Sequence, residues 1–294
     1  MPDNQPHPHT DASRPGFALE SRVLALDGPD AAAFAHAQFA NDVAALSPGQ
    51  WQWNAWLTPK GRVVAVFALL RTGADALRLL LPDHDPAELG DALRRYVFRR
   101  KVAIAPRPDL HASGHFLPPA QAHGAALAGA EDAPGGLELD WGAPGLPRTL
   151  RLSASAGTAD DGAREAWAVA DLRLGLPRLP ATQREQWTPQ QLSLERLQAY
   201  SVRKGCYPGQ EIVARTHFLG KAKREALLLR VPDATAAGAE VVQSGRAIGT
   251  VVSAAGQAPR FALAVLPLER EAAPLEVGGA EAVAEPFVEG FARP

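Results

Sequence analysis

A single cysteine, Cys206, stands in a chain of 294 residues. No internal disulfide can form, so the fold has to be held by packed apolar cores rather than by cross-links. A hydrophobic share of 46% is ample for such cores, and a chain of this length usually divides into more than one structural unit. The net charge of -2 argues against a protein held on nucleic acid by bulk attraction, so no direct nucleic-acid partner is expected. The longest apolar run, Val63 to Leu70, falls far short of the roughly 20 residues that a membrane-spanning helix needs. Residues 1–16 (MPDNQPHPHTDASRPG) lack the basic head and apolar core of a secretory signal and read as a loose tail. One thiol and no export signal together imply a reducing, cytoplasmic setting.

The thiol sits in Lys204-Gly205-Cys206-Tyr207-Pro208-Gly209-Gln210-Glu211. Free cysteine ordinarily behaves as a small buried hydrophobe. Here two glycines bracket it, and glycines suit a backbone that approaches a ligand or takes positive φ. Arg203 and Lys204 precede it, and a short helix opens near Glu211 with Pro208 and Gly209 at its entry. Cations and a following helix start favour the thiolate, which points to a reactive or ligand-facing sulfur. Glu211 and Arg215 stand at i and i+4: either a surface ion pair, or a pair in which Glu211 orients Lys204 or a ligand. Tyr207 either packs the loop or walls the thiol.

Along the chain the pattern predicts a strand over Ala18–Leu26, and a helix from Asp30 through Ala31, Phe34, Ala35 and Gln38. A hairpin Trp51–Leu57 and Arg62–Leu70 turns at Thr58-Pro59-Lys60-Gly61. Lys60-Gly61-Arg62 is either a solvated turn or a place where an anionic tail rests. A strand Leu77–Leu81, a helix Pro86–Arg95 and a strand Val97–Ile104 follow, a run suited to a small α+β unit with an antiparallel sheet. Beyond Pro106 a Pro/Gly/Ala-rich connection carries short strands at Leu137–Trp141 and Thr149–Ser153. Trp167–Leu174 reads as a strand, and Thr188–Leu197 as a helix with Pro189 at its first position. From Arg224 onward, short strands divided by Gly and Pro suit a small β-barrel or sandwich.

Several function classes are excluded. There is no G-x-G-x-x-G fingerprint, no phosphate loop and no nucleophile elbow. Metal-ligand spacings are absent, and His7, His9, His111, His115 and His123 read as solvated residues, so no metal site is expected. One thiolate cannot enclose an iron–sulfur cluster, which usually takes four protein ligands.

The cysteine octet, followed by Arg215, Gly220 and Lys223-Arg224, resembles the signature of YgfZ-type folate-binding proteins, relatives of the glycine-cleavage T-protein, an aminomethyltransferase. Asp27-Gly28-x-Asp30 with Phe34, Gln38 and Asn41-Asp42-Val43 resembles that family's opening helix, and Pro59-Lys60-Gly61-Arg62-Val63 its first hairpin. Leu93-x-x-Tyr96-Val97 with Lys101-Val102, and Pro189-Gln190 before the loop, agree in order.

The resemblance implies an α+β, T-protein-like three-domain ring: two α+β units with antiparallel sheets and a C-terminal β-barrel. It divides the chain into the tail 1–16, a discontinuous first domain 17–50 and 107–220 carrying the cysteine loop, an inserted ferredoxin-like domain 51–106, and the barrel 221–294. It implies a cytoplasmic, monomeric, tetrahydrofolate-binding factor that supports assembly or repair of iron–sulfur clusters, including those of tRNA-modifying enzymes. Its partners would be iron–sulfur enzymes or cluster-assembly proteins. Cys206 would act as nucleophile, redox thiol or transient cluster ligand, with Lys204 beside it and Gly205, Tyr207, Gly209, Gln210, Glu211 and Arg215 supporting the loop. Asn41, Asp42, Lys60, Arg173 and Gln190 are the candidate folate contacts. Val63-Val64-Ala65-Val66 stands where T-protein has carboxylates, and Arg173-Leu174-Gly175 lacks a pterin-binding glutamate. Without those acids, aminomethyl transfer has no evident proton donor or acceptor. A folate-dependent C1 transferase and a non-catalytic folate-binding scaffold are the alternatives.

Overall fold

The computed structural model describes residues 16–220 and 222–293. The expected tail, with His7 and His9, lies outside the described residues except for Gly16. In chain order the elements are β1 (Phe17–Ala18), β2 (Arg22–Asp27), α1 (Ala31–Gln38), β3 (Gln50–Leu57), β4 (Val63–Arg71), β5 (Ala76–Leu81), α2 (Pro86–Arg94) and β6 (Ala103–Pro106). Then come β7 (His111–His115), β8 (Ala128–Gly129), β9 (Leu137–Asp140), β10 (Thr149–Ser153), α3 (Asp161–Arg173) and α4 (Gln210–Phe218). The chain closes with β11 (Arg224–Val231), β12 (Glu240–Gln243), β13 (Arg246–Ala255), β14 (Arg260–Pro267), β15 (Leu275–Val277) and β16 (Ala280–Glu285).

These strands form a sheet β3-β4-β5-β2-β6, a second sheet β1-β7-β10-β9-β8, and a closed barrel β11-β14-β13-β12-β15-β16. Pairing between the strands is antiparallel throughout. The continuous apolar run of β4 has a simple cause: both faces of its sheet are covered. Ala65, Phe67 and Leu69 enter one core with α1 and α2, whereas Val66, Ala68 and Leu70 enter another shared with the second sheet. Successive side chains point to opposite faces, so two cores require every residue to be apolar. In the shared core Trp51 stacks on Trp141 at 5.3 Å, and Trp53 meets Phe291 edge-on at 5.1 Å.

Four expectations are corrected. The stretch Ala18–Leu26 is two strands in two sheets; β2 lies between β5 and β6, and Leu24 and Leu26 fill the core under α1. The sheet of β3 to β6 thus also takes in Arg22–Asp27. Trp167–Leu174 is the end of helix α3, whose Asp160 cap accepts the Ala163 amide at 2.8 Å. Thr188–Leu197 keeps only a 3-10 turn at Leu194–Leu197, because Ser193 sits at φ 51 and Gln198 at φ 54. Residues 97–101 turn instead of extending: Phe98 has φ 47, and the Arg100 amide donates to the Val97 carbonyl.

One buried carboxylate ties the units together. Asp171 on α3 is 1% exposed and accepts from Arg148 at 2.8 Å, from Arg178 at 2.6 Å and from the Trp141 indole at 3.3 Å. Arg148, on the second sheet, is wholly buried and lies 4.3 Å over the Trp167 ring. Arg178 also donates to the Pro82 carbonyl at the end of β5. On α3 itself, Leu172 packs with Leu228, Ala255 and Leu263 of the barrel. Asp171→Ala would leave one guanidinium buried and another half-buried without their shared partner. It is expected to destabilise the chain by about 3–5 kcal/mol, read as a lower midpoint in guanidinium unfolding.

Candidate functional site

The cysteine loop is seated by a contact between two glycines. Gly209, at φ 80, caps the N-terminus of α4; a Cβ there would lie 2.6 Å from the Thr58 oxygen and 2.6 Å from Gly61 Cα. Gly61, at φ 69 in the β3–β4 turn, faces Ile212 in the same way, with 2.9 Å to its Cβ. The hairpin turn therefore rests directly on the first turn of α4, and no other residue fits at either point.

The neighbouring motif residues hold the loop from inside. Tyr207 is 7% exposed, belongs to the shared core, and donates its hydroxyl to the Ser201 carbonyl at 3.2 Å. Of its two readings, packing the loop is the one observed. The Lys204 ammonium lies 4.9 Å from the Tyr207 ring and donates to the carbonyls of His36 and of Phe39, the latter at 2.5 Å. Lys204 thus caps the C-terminus of α1, where the helix dipole favours a cation. Burial pushes its pKa down to about 8, and Asp42 pulls the other way. Asp42 in turn accepts the Ala44 amide at 3.0 Å and lies 3.4 Å from His36 Nδ1. Lys204 was expected beside the thiol; its hydrogen bonds run to α1. Cys206 itself is free and exposed.

Beside this loop opens a cavity of about 630 Å³, whose walls include Asn41, Gln190, Glu195, Tyr200, Arg203 and Arg224. The chain after α1, the 190–203 segment, α4 and the barrel contribute to it. Asn41, after α1, donates to the carbonyls of Trp53 at 2.9 Å and Gln198 at 2.7 Å, and its amide donates to Asn54 at 2.8 Å. These bonds hold the 198–203 segment at the cavity edge. Gln190 donates to the Val213 carbonyl at 2.9 Å, while its Oε1 is buried without a partner. Burial raises the Glu195 carboxyl above the ordinary carboxylate range, and the Tyr200 hydroxyl stands 3.4 Å from it. The Tyr200 phenol is likewise pushed up, by burial and then by Glu195. The wall thus offers one buried acceptor, Gln190 Oε1, and the solvent-reachable Glu195 carboxylate, with Arg203 and Arg224 beside them.

Of the candidate folate contacts, Asn41 and Gln190 line this cavity. Asp42 lies behind it at the end of α1, and Lys60 is exposed at the tip of the hairpin turn. Arg173, at the C-terminal end of α3, lines a separate groove with Asp161 and Phe261. Gln210 and Glu211 open α4, and Arg215 stands in its last turn; among the described residues no ion pair joins Glu211 to Arg215. Glu195 and Tyr200 were missed by sequence reasoning. In sequence Glu195 stands beside Arg196 and reads as an ordinary exposed charge, so no signal marked it.

No protein-family model matches the chain. It is 30% identical over 241 residues to an uncharacterized protein of Haemophilus influenzae, covering 79% of this chain and 81% of the relative. It is 32% identical over 231 residues to the tRNA-modifying protein YgfZ of Cronobacter sakazakii, covering 71% and 68%. Among solved structures, the glycine cleavage system aminomethyltransferase T from Bartonella henselae matches with a TM-score of 0.70 over 95% of this chain and 89% of that one. At 16% identity this is a likeness of fold.

Gly209→Ala should expose the dependence of the loop on its glycine contact. A loss of about 1–3 kcal/mol is expected from the positive φ and the blocked approach, with a changed rate of Cys206 alkylation by iodoacetamide.

Proposed function

Because the chain belongs to the YgfZ family, on an aminomethyltransferase-like fold, we propose that it is a folate-binding protein that supports assembly or repair of iron–sulfur clusters, including those of tRNA-modifying enzymes, through Cys206. The observation that carries this reading is the pairing of an exposed thiol with a cavity on the same segment: Arg203, three residues before Cys206, lines its wall. A volume of about 630 Å³ suits a cofactor-sized ligand.

The residues present fit tetrahydrofolate. A pterin edge carries an amino group and a ring N–H, and Glu195 with the unpartnered Gln190 Oε1 are acceptors suited to such donors. The anionic glutamate tail matches Arg203 and Arg224 on the same wall. When bound, tetrahydrofolate supplies a carrier of one-carbon units. Around it this chain would orient the ring through Glu195 and Gln190 and hold the tail through the arginines.

Cluster chemistry would fall to Cys206. A single sulfur offers one bond to iron, and among the described residues no three His, Cys, Asp or Glu side chains are grouped to hold a metal. The remaining ligands of any cluster would come from a partner enzyme or assembly protein. The transferase alternative is disfavoured by β4: the residues in place of T-protein's carboxylates are apolar, and Val63, Ala65 and Val66 are buried.

Two measurements test the reading. Cys206→Ala should fold with wild-type stability, within about 0.5 kcal/mol, because the side chain is exposed. In cells lacking the protein it should nevertheless fail to restore the activity of 4Fe–4S enzymes; full rescue would remove the thiol from the mechanism. Calorimetry should show saturable tetrahydrofolate binding, weakened about tenfold or more by Glu195→Gln through loss of a charged acceptor. No heat at millimolar ligand would refute the folate half of the proposal.

A further inference from the structure

Between the end of α2 and the start of β6 the sequence reads Arg95-Tyr96-Val97-Phe98-Arg99-Arg100-Lys101. Phe98 is 86% exposed and Tyr96 37%, and the four cations around them are all exposed. The bland account is a solvated basic helix end. A helix C-terminus does favour cations in its last turn, which covers Arg94 and Arg95. Arg94 is in fact engaged with Asp91 and with the Ile104 carbonyl. That account does not extend to Arg99, Arg100 and Lys101 beyond the helix. Among the described residues, none of the side chains of Arg95, Arg99, Arg100 and Lys101 forms a hydrogen bond or ion pair. Nor does it explain a large ring turned out to water.

The loop is a fixed platform rather than a slack connection. Its C-terminal end is pinned by the Lys101 amide donating to Asp30 at 2.6 Å and by the Lys101 carbonyl accepting from the Asp30 amide at 3.2 Å. The Arg100 amide closes a turn onto the Val97 carbonyl at 3.0 Å. Phe98 sits inside that turn at φ 47, a backbone conformation that bulky side chains rarely adopt. The turn therefore presents the ring with arginines on both sides of it in sequence. Tyr96 stands behind, its ring 6.3 Å from Trp56. Trp56 bridges Phe39, and the Phe39 carbonyl accepts from Lys204, so the loop lies a short chain of contacts from the cysteine loop.

An exposed ring beside unpaired guanidinium groups is the chemistry that recognises an unstacked nucleobase and its flanking phosphates. Three of the four cations are arginine, whose planar fork pairs with phosphate and stacks on bases. A membrane surface would require a wider apolar face than one ring. The net charge of -2 excludes bulk attraction of nucleic acid by the whole molecule, not a local basic platform. We propose that the 95–101 loop is a binding site for single-stranded nucleic acid, with Phe98 stacking on a base and Arg95, Arg99 and Arg100 holding phosphates.

Fluorescence anisotropy of the full chain with labelled oligouridylate and oligothymidylate tests this. Saturable binding is expected, weakened about tenfold by Phe98→Ala, with a shallower salt dependence in Arg99→Ala/Arg100→Ala. Tighter binding of the uridylate would identify RNA as the ligand, and tighter binding of the thymidylate would identify DNA. Phe98→Gly, which relieves the positive φ while removing the ring, should behave like Phe98→Ala. Absence of binding, affinity indifferent to loss of the ring, or equal competition by polyglutamate would overturn the proposal, the last in favour of an acidic protein partner.

Discussion

Asp171 is the interaction on which the arrangement of the units depends. Its carboxylate is removed from water and would be strongly unfavourable alone. It is tolerated because three donors converge on it: Trp141 and Arg148 beside the second sheet, and Arg178, which also donates to the Pro82 carbonyl after β5. Its own helix packs against the barrel through Leu172. A hydrophobic contact would resist separation of these units but would tolerate sliding; a charge satisfied by directed donors does not. The cavity beside the cysteine loop takes Asn41 from one unit, Gln190 to Arg203 from another and Arg224 from the barrel. Its shape follows from the fixed placement of all three.

Within that frame, most of the cysteine motif is spent on presentation. Lys204 closes the end of α1, Tyr207 plugs the shared core, and Gly209 meets Gly61 backbone to backbone. What remains exposed is Gly205, with open space around it, the sulfur, and Glu211 at the start of α4. The motif is thus a short brace anchored to α1, to the core and to the hairpin turn. This also accounts for the joint appearance in the sequence of Pro59-Lys60-Gly61 and the octet: Gly209 is required by the approach of Gly61, and Gly61 by that of Ile212 in α4.

How much was legible in the sequence depended on how each core was patterned. α1, β3, α2 and the barrel strands were readable from apolar spacing and turn residues, and β4 and β5 from near-continuous apolar runs between turns. The membership of β2 in the sheet of β3 to β6 was not readable, since Phe17–Ala18 and Arg22–Asp27 form a single extended pattern that crosses from one sheet to another. α3 was misread as a strand for a different reason. Its buried stripe is Trp167, Ala170, Asp171 and Leu172, and a charge on the stripe hides the helical period. Glu195 was concealed differently: a segment that reads as a capped helix is broken at Ser193 and Gln198 by positive φ, and Glu195 within it lines the cavity. Cys206 was legible because its exposure follows from flanking glycines, a local property. Lys204 was not, because its partners are the His36 and Phe39 carbonyls, far away in sequence.

The chemistry open to this site follows from where carboxylates can stand. β4 runs between two cores, so a carboxylate at its buried positions would have to be paired or neutral, and the sequence supplies apolar residues there instead. On the 190–203 wall the exposed Glu195 has its carboxyl pushed up by partial desolvation, with the Tyr200 hydroxyl 3.4 Å away. The sulfur lies on the outer loop and the acceptors Gln190 and Glu195 lie in the wall. A transferase acting on one small molecule would need its proton-moving groups and its nucleophile to converge on the same reacting atom. A factor that keeps one ligand in the cavity and offers its thiol to a second, larger partner needs them apart. The proposed role accordingly places folate in the cavity and the cluster-bearing partner at the exposed thiol.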